Sequence, residues 1–353
     1  MRGAASGMFI GKKIKIGAGL LALALSAPGY ASTDAAACDR ACLEGVVDRY
    51  MTALAGHDPR QASLAAHARY TENGQELRFG DGLWGTITGL GSYKVYITDP
   101  EAGQVGFFGT IRESGVPVVF ALRLRVQDGQ VTEAESFIPR GNSNFPTDGT
   151  PAAVLQEERG PRPTLTQLVP AVQRLSRDAL VGIADGYFES MEQGTSRLAP
   201  YSERCTRIEN GNISAGNPEP DPSRPGNNMR QLHCAQQFDT GFSKGFSVVP
   251  MRRYPVVDRE RGIVFAVAAL QHTGLHKTMR VKQADGTVEE RPARPAFVVP
   301  FQFTMAEIFK VEEGKLHDVE AILLTVPYGM PSGWDQESMT DPALMHGVTA
   351  TAR

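Results

Sequence analysis

Apolar residues early in the chain recur at helical spacing. Leu43, Val46, Val47, Tyr50, Met51 and Leu54 share one face, which predicts an amphipathic helix ended by Gly56. Asp58-Pro59 offers a cap and a first-turn proline for a second short helix. Tyr70-Thr71-Glu72-Asn73-Gly74 reads as a first strand running into a turn. Gly80, Gly82 and Gly85 break the chain around Trp84, and 90–97 reads as a short helix. Beyond Asp99-Pro100 strands dominate, over 105–112, 116–126 and 131–138, joined by Ser114-Gly115 and Asp128-Gly129 turns.

The pattern then repeats. Residues 140–163 lack periodicity and read as a linker, 164–175 as a connecting helix disturbed at Pro170, and Ser176 caps a new long helix. In it Leu180, Ile183, Ala184, Tyr187, Phe188 and Met191 match the first helix's six apolar residues at one constant offset. That offset also carries Asp48 to Asp185 and Glu72-Asn73-Gly74 to Glu209-Asn210-Gly211. Further on, Asp99, Glu101, Gly103 and Val105 answer Asp258, Glu260, Gly262 and Val264, and Val126, Gly129 and Glu135 answer Val311, Gly314 and Glu320. Ordered anchors of this kind mark an internal repeat. The second copy is longer at 214–228, a proline-rich loop, and at 275–295, which extends a hairpin with Asp285-Gly286 at its tip. The expected organisation is a segment 1–31, a first unit at 38–140, a linker at 141–175, a second unit at 176–330 and a poorly ordered tail at 331–353.

The chain's 353 residues suit two domains, and 41% hydrophobic content suits proper cores. A net charge of -3 gives nothing to attract a phosphate backbone, so nucleic acid is not an expected partner. Lys12, Lys13 and Lys15 precede a short apolar run at 16–27 and small residues up to Ala31. This reads as a signal peptide cut after Ala31, leaving a periplasmic or secreted protein without a membrane anchor. Export bears on Cys38, Cys42, Cys205 and Cys234, an even number that reads as two structural disulfides, Cys38–Cys42 and Cys205–Cys234. Metal binding is the alternative, although the spacing is not that of a zinc site.

Helices, a strand, a short helix and three long antiparallel strands, given twice, resemble the nuclear transport factor 2-like superfamily, also called SnoaL-like or ketosteroid-isomerase-like. With a signal peptide and Glu-Asn-Gly in each half, the chain also resembles a secreted tandem family found in bacteria and fungi. The resemblance implies an α+β fold of two tandem cone-shaped domains, each a curved, mostly antiparallel sheet wrapped around its N-terminal helices. It further implies an intramolecular pseudo-dimer packed through the sheets, and a pocket for a small hydrophobic molecule. The superfamily includes cofactor-free isomerases, dehydratases, cyclases and lyases as well as pure binding modules, and its enzymes use a carboxylate or His base and an oxyanion donor in an apolar cone. No residue of the ketosteroid isomerase pattern is carried over to this chain.

Candidate chemistry centres on Glu307. Alternation puts it in one row with Phe301, Phe303, Met305 and Phe309, where a carboxylate is costly unless paired or protonated. The first copy has Leu122 there, so the role belongs to the second half; the alternative is a carboxylate paired with Arg or Lys at a sheet end. Glu209, like Glu72, stands beside Asn-Gly, where an active-site reading competes with a structural corner. Glu135 and Glu320 form a similar pair. Trp84, Tyr93 and Tyr96 fall where this fold lines its cavity mouth, with core packing as the competing reading. His272 is an acid–base candidate at the mouth of the second cone; a metal pair with His276 is disfavoured because Gly274 breaks the geometry. Arg252, Arg253 and Tyr254 offer a cradle for a carboxylate or enolate, with a solvated charge pair as the default reading. No phosphate-cradling loop, nucleophile elbow or dinucleotide fingerprint is present, so no cofactor is expected. The leading expectation is cofactor-independent acid–base chemistry of the isomerase, dehydratase, cyclase or lyase type on a small apolar or aromatic molecule. The alternative is a non-catalytic periplasmic protein that binds a hydrophobic ligand or supports an assembly.

Overall fold

The computed structural model describes residues 38–140, 150–156, 160–219, 229–245, 248–275, 277–282, 286–292 and 298–334. The expected signal segment, His276 and most of the tail lie outside them.

The helical rhythm at the start forms α1 (Arg40–Ala55), capped by the Asp39 carboxylate on the Cys42 amide. Its buried face comprises Leu43, Val46, Val47, Tyr50, Met51, Ala53 and Leu54. Cys38 and Cys42 are disulfide-bonded one turn apart, with Cα atoms 5.2 Å apart. Asp58-Pro59 yields only a 3-10 turn, Pro59–Gln61. Strands β1 (Leu64–Glu72) and β2 (Gln75–Leu77) follow, then α2 (Leu83–Thr86) and β3 (Ile87–Asp99). The helix expected over 90–97 is therefore strand. Tyr93, Val95 and Ile97 alternate into a core, while register shifts at both ends of 89–94 interrupt the period-2 signal. The sheet is completed by β4 (Gln104–Glu113), β5 (Val116–Gln127) and β6 (Gln130–Phe137). Two short helices, α3 (Thr150–Val154) and α4 (Pro163–Thr166), stand between the halves.

The second half restates the first. Ser176 caps α5 (Arg177–Gln193), and Gly194 ends it in the left-handed conformation. Strands β7 (Tyr201–Glu209) and β8 (Asn212–Ala215) lead to α6 (Cys234–Asp239), which Cys205–Cys234 ties to β7. Then come β9 (Arg253–Asp258) and β10 (Ile263–His272). The insertion folds its own hairpin of β11 (Thr278–Lys282) and β12 (Val288–Pro292) before β13 (Phe301–Glu312) and β14 (Lys315–Val326). The strand orders are β2-β1-β6-β5-β4-β3 and β8-β7-β14-β13-β10-β9. Only the β1–β6 and β7–β14 pairings are parallel within these two sheets. The fold is thus α+β with two six-stranded curved sheets, as the sequence led us to expect.

Three apolar cores result. One lies between α1 and the first sheet, and one between α5, α6 and the second. The third lies between the sheets, where Val95, Phe108 and Phe137 of the first half meet Val256, Phe265 and Ile308 of the second. The contact carries reciprocal ion pairs: Arg40 of α1 bonds Asp258 at 2.7 Å, and Arg177 of α5 bonds Asp99. The amides follow the same exchange, Thr98 donating to Asp258 at 3.1 Å and Val257 to Asp99 at 2.8 Å.

Glu-Asn-Gly is a hairpin corner in both halves. Asn73 and Gly74 have φ of 53° and 82°, and Asn210 and Gly211 have 47° and 85°, as a two-residue turn between β-strands requires. Each Asn amide also clamps the neighbouring chain, Asn73 bonding both backbone groups of Ile138 and Asn210 those of Leu323. The corners are covered by chain from outside their own sheets: Met330 and Pro331 pack on Gly74, and Pro151 packs on Gly211. Beyond Gly74 the strap continues to Trp334. Its ring is sandwiched between Arg69 and Arg123 at 4.4 and 4.7 Å, and its Nε1–H donates to Thr71 at 2.7 Å.

Candidate active site

Strand alternation turns Phe301, Phe303, Met305, Glu307 and Phe309 into the second cone. Glu307 stands in one rank across the sheet with Glu209, Ala321 and Ala266. The matching rank in the first sheet is Glu72, Ser136, Leu122 and Phe107. Glu307 is thus the structural counterpart of Leu122. Two strand spacings separate it from Glu209, about 10 Å.

Helix α5 and strand β7 bring the remaining polar groups to this rank. Arg207 is two residues before Glu209 on the same strand face and pairs with it at 3.0 Å. Its guanidinium also donates to Ser214 at 3.0 Å, to the Tyr187 hydroxyl oxygen at 3.3 Å and to Gln237 at 2.6 Å. Because that oxygen accepts from Arg207, the Tyr187 proton is free to point elsewhere, and Glu307 is its neighbour. Burial pushes the Glu307 carboxyl up to about 8, Arg207 pulls it down, Glu209 adds to the rise, and Tyr187 opposes it. One carboxyl oxygen, Oε2, is buried with no hydrogen-bond partner. Burial pulls the Arg207 guanidinium down as well, but Glu209 and Tyr187 more than offset this and keep it charged. Tyr187 is raised far above its ordinary value by burial, so it is a donor and not a phenolate.

The first half has no such arrangement. Tyr70 stands where Arg207 does, and Glu72 is fully bonded, accepting from the Tyr70 hydroxyl at 2.6 Å, the Leu83 amide at 2.7 Å and Arg140 at 2.6 Å. The change from Tyr70 to Arg207 thus accompanies the change from Leu122 to Glu307: one cation and one carboxyl enter the second cone together.

The other candidates are dispersed. His272 is buried opposite Phe301, six positions along the strand from the Glu307 rank, which is roughly 20 Å. It does not meet Glu307. Trp84 is core, edge-on to Tyr50 at 5.3 Å. Tyr93 lies between the sheets and donates to Glu320 at 2.8 Å. Tyr96 donates to Asp48 at 2.6 Å. Arg253 pairs with Glu135 of the first sheet at 2.5 Å, so it belongs to the contact between the sheets. Tyr254 donates to Asp185 at 2.5 Å and packs against the second core. Two cavities among the described residues lie away from Glu307. One is a void of about 20 Å³ between the sheets beside Tyr93 and Glu320, room for one water. The other is a surface hollow beside Asp48 and Gln61. Reading the sequence alone missed Tyr187, Arg207 and Gln237 as site residues. Two of them carried a signal: Tyr187 matches Tyr50 in the repeat, and Arg207 falls where the first copy has Tyr70.

Residues 173–323 match the domain of unknown function DUF8021. No curated protein matches the chain. Among solved structures it is similar to a cystatin-like protein of unknown function from Methylobium petroleophilum PM1, at 14% identity and TM-score 0.27 over 31% of this chain and 84% of that one. A protein described as a ketosteroid isomerase from Kribbella flavida DSM 17836 gives 16% and 0.25 over 37% and 92%. An NTF2-like protein of unknown function from Cytophaga hutchinsonii gives 10% and 0.23 over 27% and 88%.

Proposed function

We propose that the second half is a cofactor-independent acid–base site centred on Glu307, acting on a small apolar or aromatic molecule. The observation that carries this reading is the carboxyl itself: wholly buried in an aromatic row, poised near pH 8, with Oε2 unpartnered. A carboxyl in that state exchanges a proton with a carbon or oxygen acid near neutrality. Tyr187 and Arg207 are donors suited to an oxygen that gains charge as the proton leaves. Glu209 holds Arg207 in place and is not the base, since it already pairs with that guanidinium. The apolar neighbours Phe309, Phe303 and Met305, all buried in the same core, favour an uncharged substrate. A periplasmic or secreted location accords with the two disulfides and with the segment preceding Ala31.

The test is solvent deuterium incorporation into a panel of enolisable aryl ketones, followed by NMR. Glu307→Gln should lower exchange about 100-fold or more while leaving probe binding unchanged. Equal exchange by the variant and the unaltered protein would remove Glu307 from the mechanism. A second reading is a non-catalytic holder of a hydrophobic ligand in the second half, whose core is rich in aromatic rings: Tyr187, Phe188, Phe238 and Phe309 pack with ring centroids 5.0 to 5.8 Å apart. It predicts a co-purifying small molecule in native mass spectra with no exchange at all.

A further inference from the structure

Arg207 has more partners than an oxyanion donor needs, and their origin is informative. Its Nη2 donates to Gln237 Oε1 at 2.6 Å, and Gln237 is itself fixed, its Nε2 donating to the backbone carbonyls of Ser214 and Met229. Gln237 rides on α6, whose first residue is Cys234. The disulfide joins Cys234 to Cys205, which stands two residues before Arg207 on β7, with Cα atoms 5.4 Å apart. Strand and helix are thus bolted together next to the contact between Arg207 and Gln237. His233 adds to the join, its Nδ1 lying 3.2 Å from the Cys205 carbonyl oxygen. The first half has Ala68 at the position of Cys205 and Tyr70 at that of Arg207. The Cys205–Cys234 disulfide and the Arg207 guanidinium therefore occur together, in the second half.

Resting on the acid–base reading above, we propose that Gln237 is the positioning residue of the site: clamped by Cys205–Cys234, it holds Arg207 toward Tyr187 and Glu209 and keeps it from forming an ion pair with Glu307. The reason is the competition for one guanidinium. Arg207 is buried, so each of its donors needs an acceptor. Glu307 Oε2 is buried in the same cluster and unpartnered. Remove the Gln237 acceptor, and Nη2 gains by turning to that oxygen. A direct ion pair would ionise Glu307 and leave it without a proton to exchange. Tyr187 from α5, Arg207, Glu209 and Tyr201 from β7, and Tyr254 from β9 are the titratable groups acting on Glu307 or acted on by it. Of these only Arg207 is cationic, so its orientation decides the sign of the change.

The test reads Glu307 directly, without substrate, by the infrared carboxyl stretch across a pH series, identified by its loss in Glu307→Gln. Gln237→Leu should move the titration downward by about one pH unit or more, as expected for a carboxylate brought beside an opposite charge. Gln237→Glu keeps an acceptor and should not lower it. The Cys205→Ala/Cys234→Ala double variant should shift it downward too; if that variant does not fold, the two Gln237 substitutions still decide. A Gln237→Leu protein that melts lower while Glu307 titrates unchanged would overturn the proposal and leave Gln237 a structural residue. The two readings fail separately: deuterium exchange that survives Glu307→Gln sinks the enzymatic reading, whereas an unmoved titration sinks only the positioning role.

Discussion

A neutral carboxyl in an apolar row makes stability depend on pH in an unusual direction. In the unfolded chain Glu307 ionises near 4.5, and in the folded protein burial delays this to about 8. Between those values the folded state holds a proton that the unfolded state has released, so stability falls as pH rises through the window and levels off above it. The loss from this one group is on the order of a few kcal/mol. Glu307→Gln removes the group, so the variant should show a smaller decline between pH 5 and pH 8.5 and should exceed the unaltered protein in urea midpoint at the upper end. A difference between the two proteins that is the same at both pH values would show that Glu307 is already ionised in the fold.

At the scale of elements, the two Asn-Gly corners do the same mechanical work. Each Asn amide satisfies a backbone N–H and C=O of the neighbouring chain, Ile138 just past β6 and Leu323 within β14, so Asn73→Ala orphans both groups of Ile138. It should cost about 2–3 kcal/mol, read as a drop in urea midpoint with the m-value unchanged. Much of this scale was legible in the sequence. The repeat offsets set the register of the strands and singled out Glu307 against Leu122, because both copies keep the same turn before their last strand, at Gly129 and Gly314. Strand β3 was not legible, since its glycines and register shifts break alternation where an apolar row should run. Nor was α6, six residues just past the 214–228 insertion, too short for a helical period to show. The meeting of Tyr187, Arg207 and Glu307 depends on β7 closing in parallel onto β14, a pairing between distant segments that no local pattern encodes.

At the scale of the molecule, the exchanged contacts make the two sheets one body. Arg40 and Asp258 belong to different halves, and Asp258 is fully buried. A double-mutant cycle on Arg40→Ala and Asp258→Ala should give single losses of about 3 kcal/mol and a double loss well below their sum, since each single change leaves a partner stranded. Additive losses would show that the pair is not coupled. The straps over the Asn-Gly corners carry the same exchange into the time domain. Pro151, on chain made after the first sheet, waits for a turn that does not yet exist, and the turn at Gly74 waits for Met330 and Trp334. In order of sequence, the first half is thus closed by residues that follow the second.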